Sequence, residues 1–171
     1  MLVQPNKLNT GKQSGYNYSE EAEKALMELV FPGTHYTITE GYNPRYDAML
    51  PNGTKIEIKF TNSSKLFVEE SYFNGKPSGI SLSEADYYLV VQKGFYGNGG
   101  GEIGKVKLIP TDDLIFVREQ CITKEYEPSN TSPGSRGFVV DRELGEFDGW
   151  LGNVSYSNEG YDISKWMYKR R

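Results

Sequence analysis

The spacing of apolar residues predicts a helix near the N-terminal end of the chain. Between positions 19 and 30 the apolar residues recur at helical spacing, at Ala22, Ala25, Leu26, Leu29 and Val30. Ser19 precedes them as a candidate N-cap, and acidic residues follow in the first turn, where the helix dipole favours negative charge. Pro32-Gly33 then ends the segment.

Alternating and continuous apolar runs predict strands over most of the remaining chain. The runs at 45–50 and 54–60 are joined by Pro51-Asn52-Gly53, and Asn-Gly is a strong hairpin signal. Further strands are predicted at 35–39, 66–70, 87–91 and 106–109, followed by a helix at 112–120. This order of elements predicts an α/β (α+β) fold with a mixed central sheet flanked by helices.

Composition and charge narrow the class of protein. A chain of 171 residues suits one domain, here a core over 19–120, a flexible arm at 1–18 and an irregular extension over 121–171 that packs on the same domain. No apolar run of membrane-spanning length occurs, and Cys121 stands alone, so we expect a cytoplasmic protein without a membrane partner. The net charge of −4 is a mild argument against a nucleic-acid partner.

Candidate chemistry lies in the predicted hairpin. Side chains alternate along a strand, so Glu57 and Lys59 point to one face while Ile56 and Ile58 point to the other. The apolar face must pack in the hydrophobic core, which leaves the charged face as a solvent-exposed or functional surface. A tight hairpin can also bring Asp47 close to Glu57, and two adjacent carboxylates repel each other unless a cation lies between them.

Oxygen ligands of this kind suit a hard cation such as Mg²⁺, which polarises a phosphate and acidifies a bound water. A neighbouring lysine would hold a phosphate oxygen or position the attacking water. The triplet Glu57-Ile58-Lys59 is weak by itself, because about one such triplet is expected by chance in a chain of this length. The alternative interpretation is an exposed hairpin with a simple Glu–Lys pair.

These residues resemble the PD-(D/E)xK, or restriction-endonuclease-like, nuclease superfamily. The resemblance rests on the acidic helix at 19–30, Tyr46-Asp47 and Glu57-Ile58-Lys59, and on the stretch 66–88, which is similar to small bacteriophage nucleases. It departs where Arg45-Tyr46 replaces the nominal proline before the aspartate.

The resemblance implies roles for individual residues. Asp47 and Glu57 would bind Mg²⁺, or Mn²⁺ in its place, with the Ile58 carbonyl as third ligand, while Lys59 assists the nucleophile. Related resolvases place a helix glutamate at the metal, for which Glu23 is the first choice and Glu20 the reserve.

Contacts with DNA are predicted outside this cluster. Lys65, Lys76 and Ser78 lie within or beside the stretch that carries the resemblance, and a basic cluster closes the sequence at Lys165, Lys169, Arg170 and Arg171. Lys93, Lys105 and Lys107 form a second candidate patch around a glycine-rich segment. The simpler interpretation of each is a solvated end or edge.

The sequence is therefore compatible with three functions. The first is a Mg²⁺-dependent endonuclease acting on DNA, structure-specific like a Holliday junction resolvase or sequence-specific like a restriction enzyme. Cutting two strands needs two active sites, so a homodimer is expected of a junction or duplex cutter. The second is a catalytically idle nuclease-fold protein that binds DNA or protein. The third is a phage structural or accessory protein, suggested by the Tyr-, Asn- and Gly-rich composition.

Overall fold

The fold is taken from a computed structural model. It describes the backbone of residues 2–3, 23–24, 26–28, 30–40, 43, 45–61, 65–93, 102–140, 150–157 and 160–168. Side chains are described for 23–24, 26–28, 30–40, 43, 45–61, 65–91 and 106–140.

The described chain contains eleven strands and two α-helices. Helix α1 comprises the helical positions among 23–30, and α2 is Thr111–Val117. The strands are β1 (Leu2–Val3), β2 (Thr37–Ile38), β3 (Ala48–Met49), β4 (Lys55–Thr61), β5 (Leu66–Tyr72), β6 (Tyr87–Lys93), β7 (Glu102–Pro110), β8 (Ile122–Tyr126), β9 (Ser135–Val140), β10 (Trp150–Ser157) and β11 (Gly160–Tyr168). Two 3-10 turns, Gly79–Ser81 and Arg118–Gln120, complete the described elements.

The strands form two sheets. The larger has the order β1-β11-β10-β7-β6-β4-β3-β2, and the smaller has the order β5-β9-β8. Strands β4 and β6 pair in parallel, whereas the other described pairings are antiparallel. The larger sheet is therefore mixed, and the α+β class predicted from the sequence is confirmed.

One face of the larger sheet is covered by α1. Leu26 and Met27 of the helix are buried against Ile56 and Ile58 of β4 and Leu89 of β6. Of the face predicted for the helix, Leu26 and Val30 pack as expected, Met27 joins them without having been predicted, and Ala22, Ala25 and Leu29 lie outside the described residues. The predicted N-cap, Ser19, lies outside the described residues.

The other face carries a second core, which the sequence interpretation did not foresee. Its apolar side chains come from β6 and β7 on one side and from the smaller sheet and α2 on the other, and include Leu66, Val68, Tyr88, Val90, Ile109, Leu114, Phe138 and Val140. The expectation that helices flank the sheet therefore holds only in part on this face, where a three-stranded sheet forms the cover together with the short helix α2.

The expectation of an irregular extension after residue 120 is also wrong. Four strands lie there, β9 between β5 and β8 in the smaller sheet and β10 beside β7 in the larger one. Leu2 and Val3, placed in a flexible arm, pair with β11, while residues 4–18 lie outside the described residues. Neither described helix is long and apolar enough to cross a membrane.

Candidate active site

The hairpin that presents the candidate residues closes as predicted. The Leu50 N–H donates to the Thr54 carbonyl at 2.8 Å, and the Gly53 N–H donates to the Leu50 carbonyl at 2.9 Å. Gly53 has a φ of +87°, a conformation that L residues with side chains rarely adopt. The Asn-Gly signal therefore fixes where β3 ends and β4 begins.

Alternation along β4 also follows the prediction, and its charged face is partly covered and partly open to solvent. Ile56 and Ile58 are buried under α1, and Glu57 and Lys59 point to the opposite face. On that face Glu57 is in register with Tyr88 of β6 and Lys59 with Val90, and both neighbours are buried in the second core. Glu57 and Lys59 thus lie at the margin of a core, with side chains 14% and 45% exposed.

Asp47 makes two hydrogen bonds to the backbone of β4, one to the residue before Glu57 and one to the residue after it. Its N–H donates to the Ile56 carbonyl at 2.9 Å, and its Oδ2 accepts the Ile58 N–H at 2.8 Å. Ala48, the next residue, pairs with Ile56 in register. The two hydrogen bonds place the Asp47 carboxylate beside the backbone of β4.

The two carboxylates share one half-buried niche. Burial raises the pKa of Asp47, while the hydrogen bond from Ile58 and the charge of Lys59 oppose the rise. Burial raises the pKa of Glu57 to about 7; Lys59 lowers it and the negative charge of Asp47 raises it further. The niche therefore holds more negative charge than Lys59 alone balances.

Lys59 is the cation of the niche. Its Nζ lies 3.2 Å from Glu57 Oε1. Burial alone would lower the pKa of Lys59, but the carboxylates of Glu57 and Asp47 outweigh it and the pKa rises. Lys59 is thus held as an ammonium ion whose outer half is open to solvent.

Two residues near the niche lie outside the predicted site residues; of these, Glu69 follows an apolar run in the sequence and could face the site, although an exposed strand end is the simpler interpretation. The charge of Glu69, on β5, contributes to the raised pKa of Lys59. Burial raises the pKa of Tyr88, which hydrogen-bonds with Ser83, and the charge of Glu57 raises it further. Neither residue has a motif signal, because β5 reaches the niche only through the packing of the second sheet.

The candidate helix glutamates come from the element that covers the opposite face of β4. Glu23 lies on α1, which covers the Ile56 and Ile58 face, and Glu20 lies outside the described residues. Among the described side chains, no group of three or more His, Cys, Asp or Glu residues is arranged to hold a metal ion. Any cation here would rest on two carboxylates and backbone oxygen.

The predicted DNA-binding residues differ in how exposed they are. Ser78 is 1% exposed, so the prediction that it touches DNA is wrong. Lys107 is fully buried in β7, which removes it from the predicted basic patch. Lys65 and Lys76 are exposed but flank opposite ends of β5.

The side chains of the remaining predicted DNA contacts lie outside the described residues. The backbone of Lys165 is described as part of β11, but its side chain is not. The same holds for Lys93 in β6 and Lys105 in β7. Lys169, Arg170 and Arg171 lie wholly outside the described residues.

Comparison with known proteins assigns no family. A scan against protein-family models gives no match, and no curated protein matches the chain.

Proposed function

We propose that the protein is a Mg²⁺-dependent endonuclease that hydrolyses phosphodiester bonds in DNA by a metal-activated water. The observation that carries the proposal is the niche itself. Asp47 and Glu57 are both held against β4, Glu57 is largely buried with a pKa of about 7, and one lysine lies beside them. Crowding two acids at the margin of a core destabilises the folded chain unless a cation joins them.

The donor atoms fit a hard divalent cation. Asp47 commits Oδ2 to the Ile58 N–H, so Oδ1 is the oxygen with which it would meet a cation. The N–H and C=O of one residue in a strand point to the same edge, so the Ile58 carbonyl faces the Asp47 side of β4. Together with the Glu57 carboxylate these are oxygen ligands, and Mg²⁺ completes such a set with waters and substrate phosphate.

The cation would supply polarisation of the phosphate and acidification of a bound water. Asp47 and the Ile58 carbonyl would hold it at the edge of β4, and Glu57 would join them once its carboxyl has lost its proton. Lys59, with its ammonium half open to solvent, is placed to bind an oxygen of the scissile phosphate and offset the charge that develops there. The resemblance to the PD-(D/E)xK superfamily supports the same assignment of roles.

A second candidate is a catalytically idle protein that binds DNA or protein. The observation in its favour is that the niche can satisfy itself: Asp47 accepts the Ile58 N–H and Glu57 pairs with Lys59. In such a protein Asp47 would only close the end of the β3–β4 ladder. What weighs against this is that Asp47 and Glu57 are both held against β4 beside a single lysine, whereas a structural Glu57–Lys59 pair needs no second acid.

Cleavage of a DNA panel separates the two candidates. Supercoiled, linear, single-stranded and branched DNA are incubated with Mg²⁺, Ca²⁺ or EDTA, using wild type, Asp47→Asn and a remote control, Glu125→Gln, in β8. The endonuclease should cut at least one substrate with Mg²⁺ only, and the control should match wild type. Absence of cutting on every substrate, or cutting by Asp47→Asn, would refute the proposal, and the branched substrate tests structure specificity.

A further inference from the structure

A second charged cluster lies beside the niche on the same hairpin. Arg45 Nη1 is 2.6 Å from Glu84 Oε2, and Lys55 Nζ is 2.8 Å from Glu84 Oε1. We call Arg45, Lys55 and Glu84 the Glu84 cluster. Two cations share the Glu84 carboxylate, and the Asp86 carboxylate, which accepts the Lys55 N–H, brings the local charge to zero.

The cluster is aligned with the candidate active site. Lys55, Glu57 and Lys59 occupy alternate positions of β4 and therefore point to the same face. A strand rises about 3.3 Å per residue, so each is roughly 6.6 Å from the next. The carboxylate of Glu57 is thus bracketed along one strand by a lysine on each side.

Backbone hydrogen bonds position the cluster without help from its ion pairs. The Glu84 N–H donates to the Arg45 carbonyl, and the Asp86 N–H donates to the Lys55 carbonyl, both at 2.8 Å. The Lys55 N–H in turn donates to Asp86 Oδ2 at 2.8 Å. The hairpin and the segment before β6 are therefore joined already, which leaves the Glu84 carboxylate to orient the two cations.

The cationic side chains remain reachable from solvent. Arg45 is 61% exposed, Lys55 29% and Glu84 39%. The Lys55 ammonium also lies 5.2 Å from the centre of the Tyr46 ring, which restricts its movement. Exposed ion pairs add little to stability and exchange partners readily, so an incoming anion can replace the glutamate.

We propose that Arg45 and Lys55 bind a backbone phosphate of DNA next to the scissile one, with Glu84 holding both side chains in place until that phosphate displaces it. The inference rests on the proposed function, which puts the scissile phosphate at Lys59 and the niche. A guanidinium forms two parallel hydrogen bonds to a phosphate, and a neighbouring lysine adds a point charge. A strand of DNA lying along β4 would then contact Lys59 at the cleaved bond and the Glu84 cluster at a phosphate to one side of it.

The test compares the Glu84 cluster with a matched ion pair elsewhere. Arg136 Nε lies 3.0 Å from Glu125 Oε1, a comparably exposed pair in the smaller sheet. Binding of a short fluorescent DNA duplex is measured by anisotropy in Ca²⁺ over a series of salt concentrations. The variants are Arg45→Ala, Lys55→Ala and Glu84→Gln, with Arg136→Ala and Glu125→Gln as controls of equal charge change.

Loss of one phosphate contact should lower the slope of log affinity against log salt by roughly one. We expect this for Arg45→Ala and Lys55→Ala but not for Arg136→Ala. Glu84→Gln should bind DNA more tightly than wild type and with a steeper slope, whereas Glu125→Gln should change little. The gain in Glu84→Gln is decisive, because a misfolded variant would not bind more tightly.

The outcomes separate this inference from the proposed function. Slopes that change equally in the cluster and control variants overturn the inference even if wild type cuts DNA. The expected changes in slope in a protein that cuts no DNA support the phosphate contact and refute the nuclease. Wild type that binds no DNA overturns both.

Discussion

Gly79 lies directly against the backbone of Glu69. A Cβ at position 79 would come within 2.2 Å of the Glu69 carbonyl oxygen, and Gly79 has a φ of +50°. The 3-10 turn that contains Gly79 is therefore packed on the strand that carries Glu69 toward the niche, with no room for a side chain.

Gly79→Ala should consequently lower the free energy of unfolding by more than about 2 kcal/mol. The left-handed conformation alone costs a residue with a side chain about 1 kcal/mol, and the contact with Glu69 adds overpacking. Gly53→Ala is the matched control, because its φ is +87° and nothing lies within 4 Å of its Cβ position. Urea denaturation of both variants is the measurement, and equal losses would show that the contact at Glu69 is relieved by movement.

The stability of the metal-free protein should fall as the pH rises from about 5 to 8. The folded state raises the pKa of Glu57 from 4.5 to about 7, so it favours the protonated carboxyl. That stabilisation is fully present below pH 4.5 and is lost as the pH passes through 7, by up to about 3 kcal/mol. Asp47, whose pKa is also raised, acts with the same sign.

Denaturation in EDTA at pH 5, 6, 7 and 8 measures this dependence. Glu57→Gln cannot ionise and should flatten the curve, with the largest gain over wild type at pH 8. A wild-type curve that rises between pH 5 and 8, or a variant that keeps the wild-type slope, would contradict the assignment to Glu57.

Asp47 should tolerate asparagine but not alanine. The asparagine carbonyl can still accept the Ile58 N–H, and the substitution removes one of two crowded charges, so Asp47→Asn should be as stable as wild type or slightly more stable. Asp47→Ala leaves the Ile58 N–H without this partner and should lose about 1–2 kcal/mol. Neither variant should cleave DNA.

Thermal melting beside the cleavage assay tests both statements about Asp47. If the asparagine variant melts well below wild type, the carboxylate has a structural role that its charge explains. If it cuts at the wild-type rate, Asp47 holds no cation.

Lys59→Ala should lower the single-turnover rate of cleavage by a factor on the order of 100 or more, because a positioned cation is lost from the transition state. DNA affinity in Ca²⁺ should change much less, since other groups hold the backbone. Lys59→Arg should restore little of the rate, because a planar guanidinium does not reproduce a compact ammonium. Wild-type rates in both variants would remove Lys59 from the mechanism.

The local parts of this site could be predicted from the sequence because their causes are local. The turn at Asn52-Gly53 and the alternation of Ile56 and Glu57 depend on residues a few positions apart, and the structure confirms both. The mixed sheet follows similarly from the order of the elements.

The elements that pack on each face of β4 could not be predicted. Alternation of apolar and charged residues assigns side chains to two faces, but it does not identify the element that covers either face. The charged face of β4 was expected to be a solvent-exposed or functional surface, and nothing in the alternation showed that the smaller sheet brings Phe138 and Val140 over the same face of the larger one. The helix predicted at 112–120 also begins one residue earlier than expected, at Thr111. The Thr111 hydroxyl donates to the Ala85 carbonyl at 2.7 Å, and Pro110 takes the N-cap position.

The pairing of β5 with β9 has a consequence for synthesis. β5 leaves the ribosome soon after β4, but Leu66 pairs with Val140, which is made much later. A nascent chain that ends before Val140 therefore carries Asp47, Glu57 and Lys59 without the sheet that covers the Glu57 face. Non-local pairing of this kind forms slowly and late. On the proposed function, we expect chains still attached to the ribosome at that point to be inert toward DNA until Val140 has emerged.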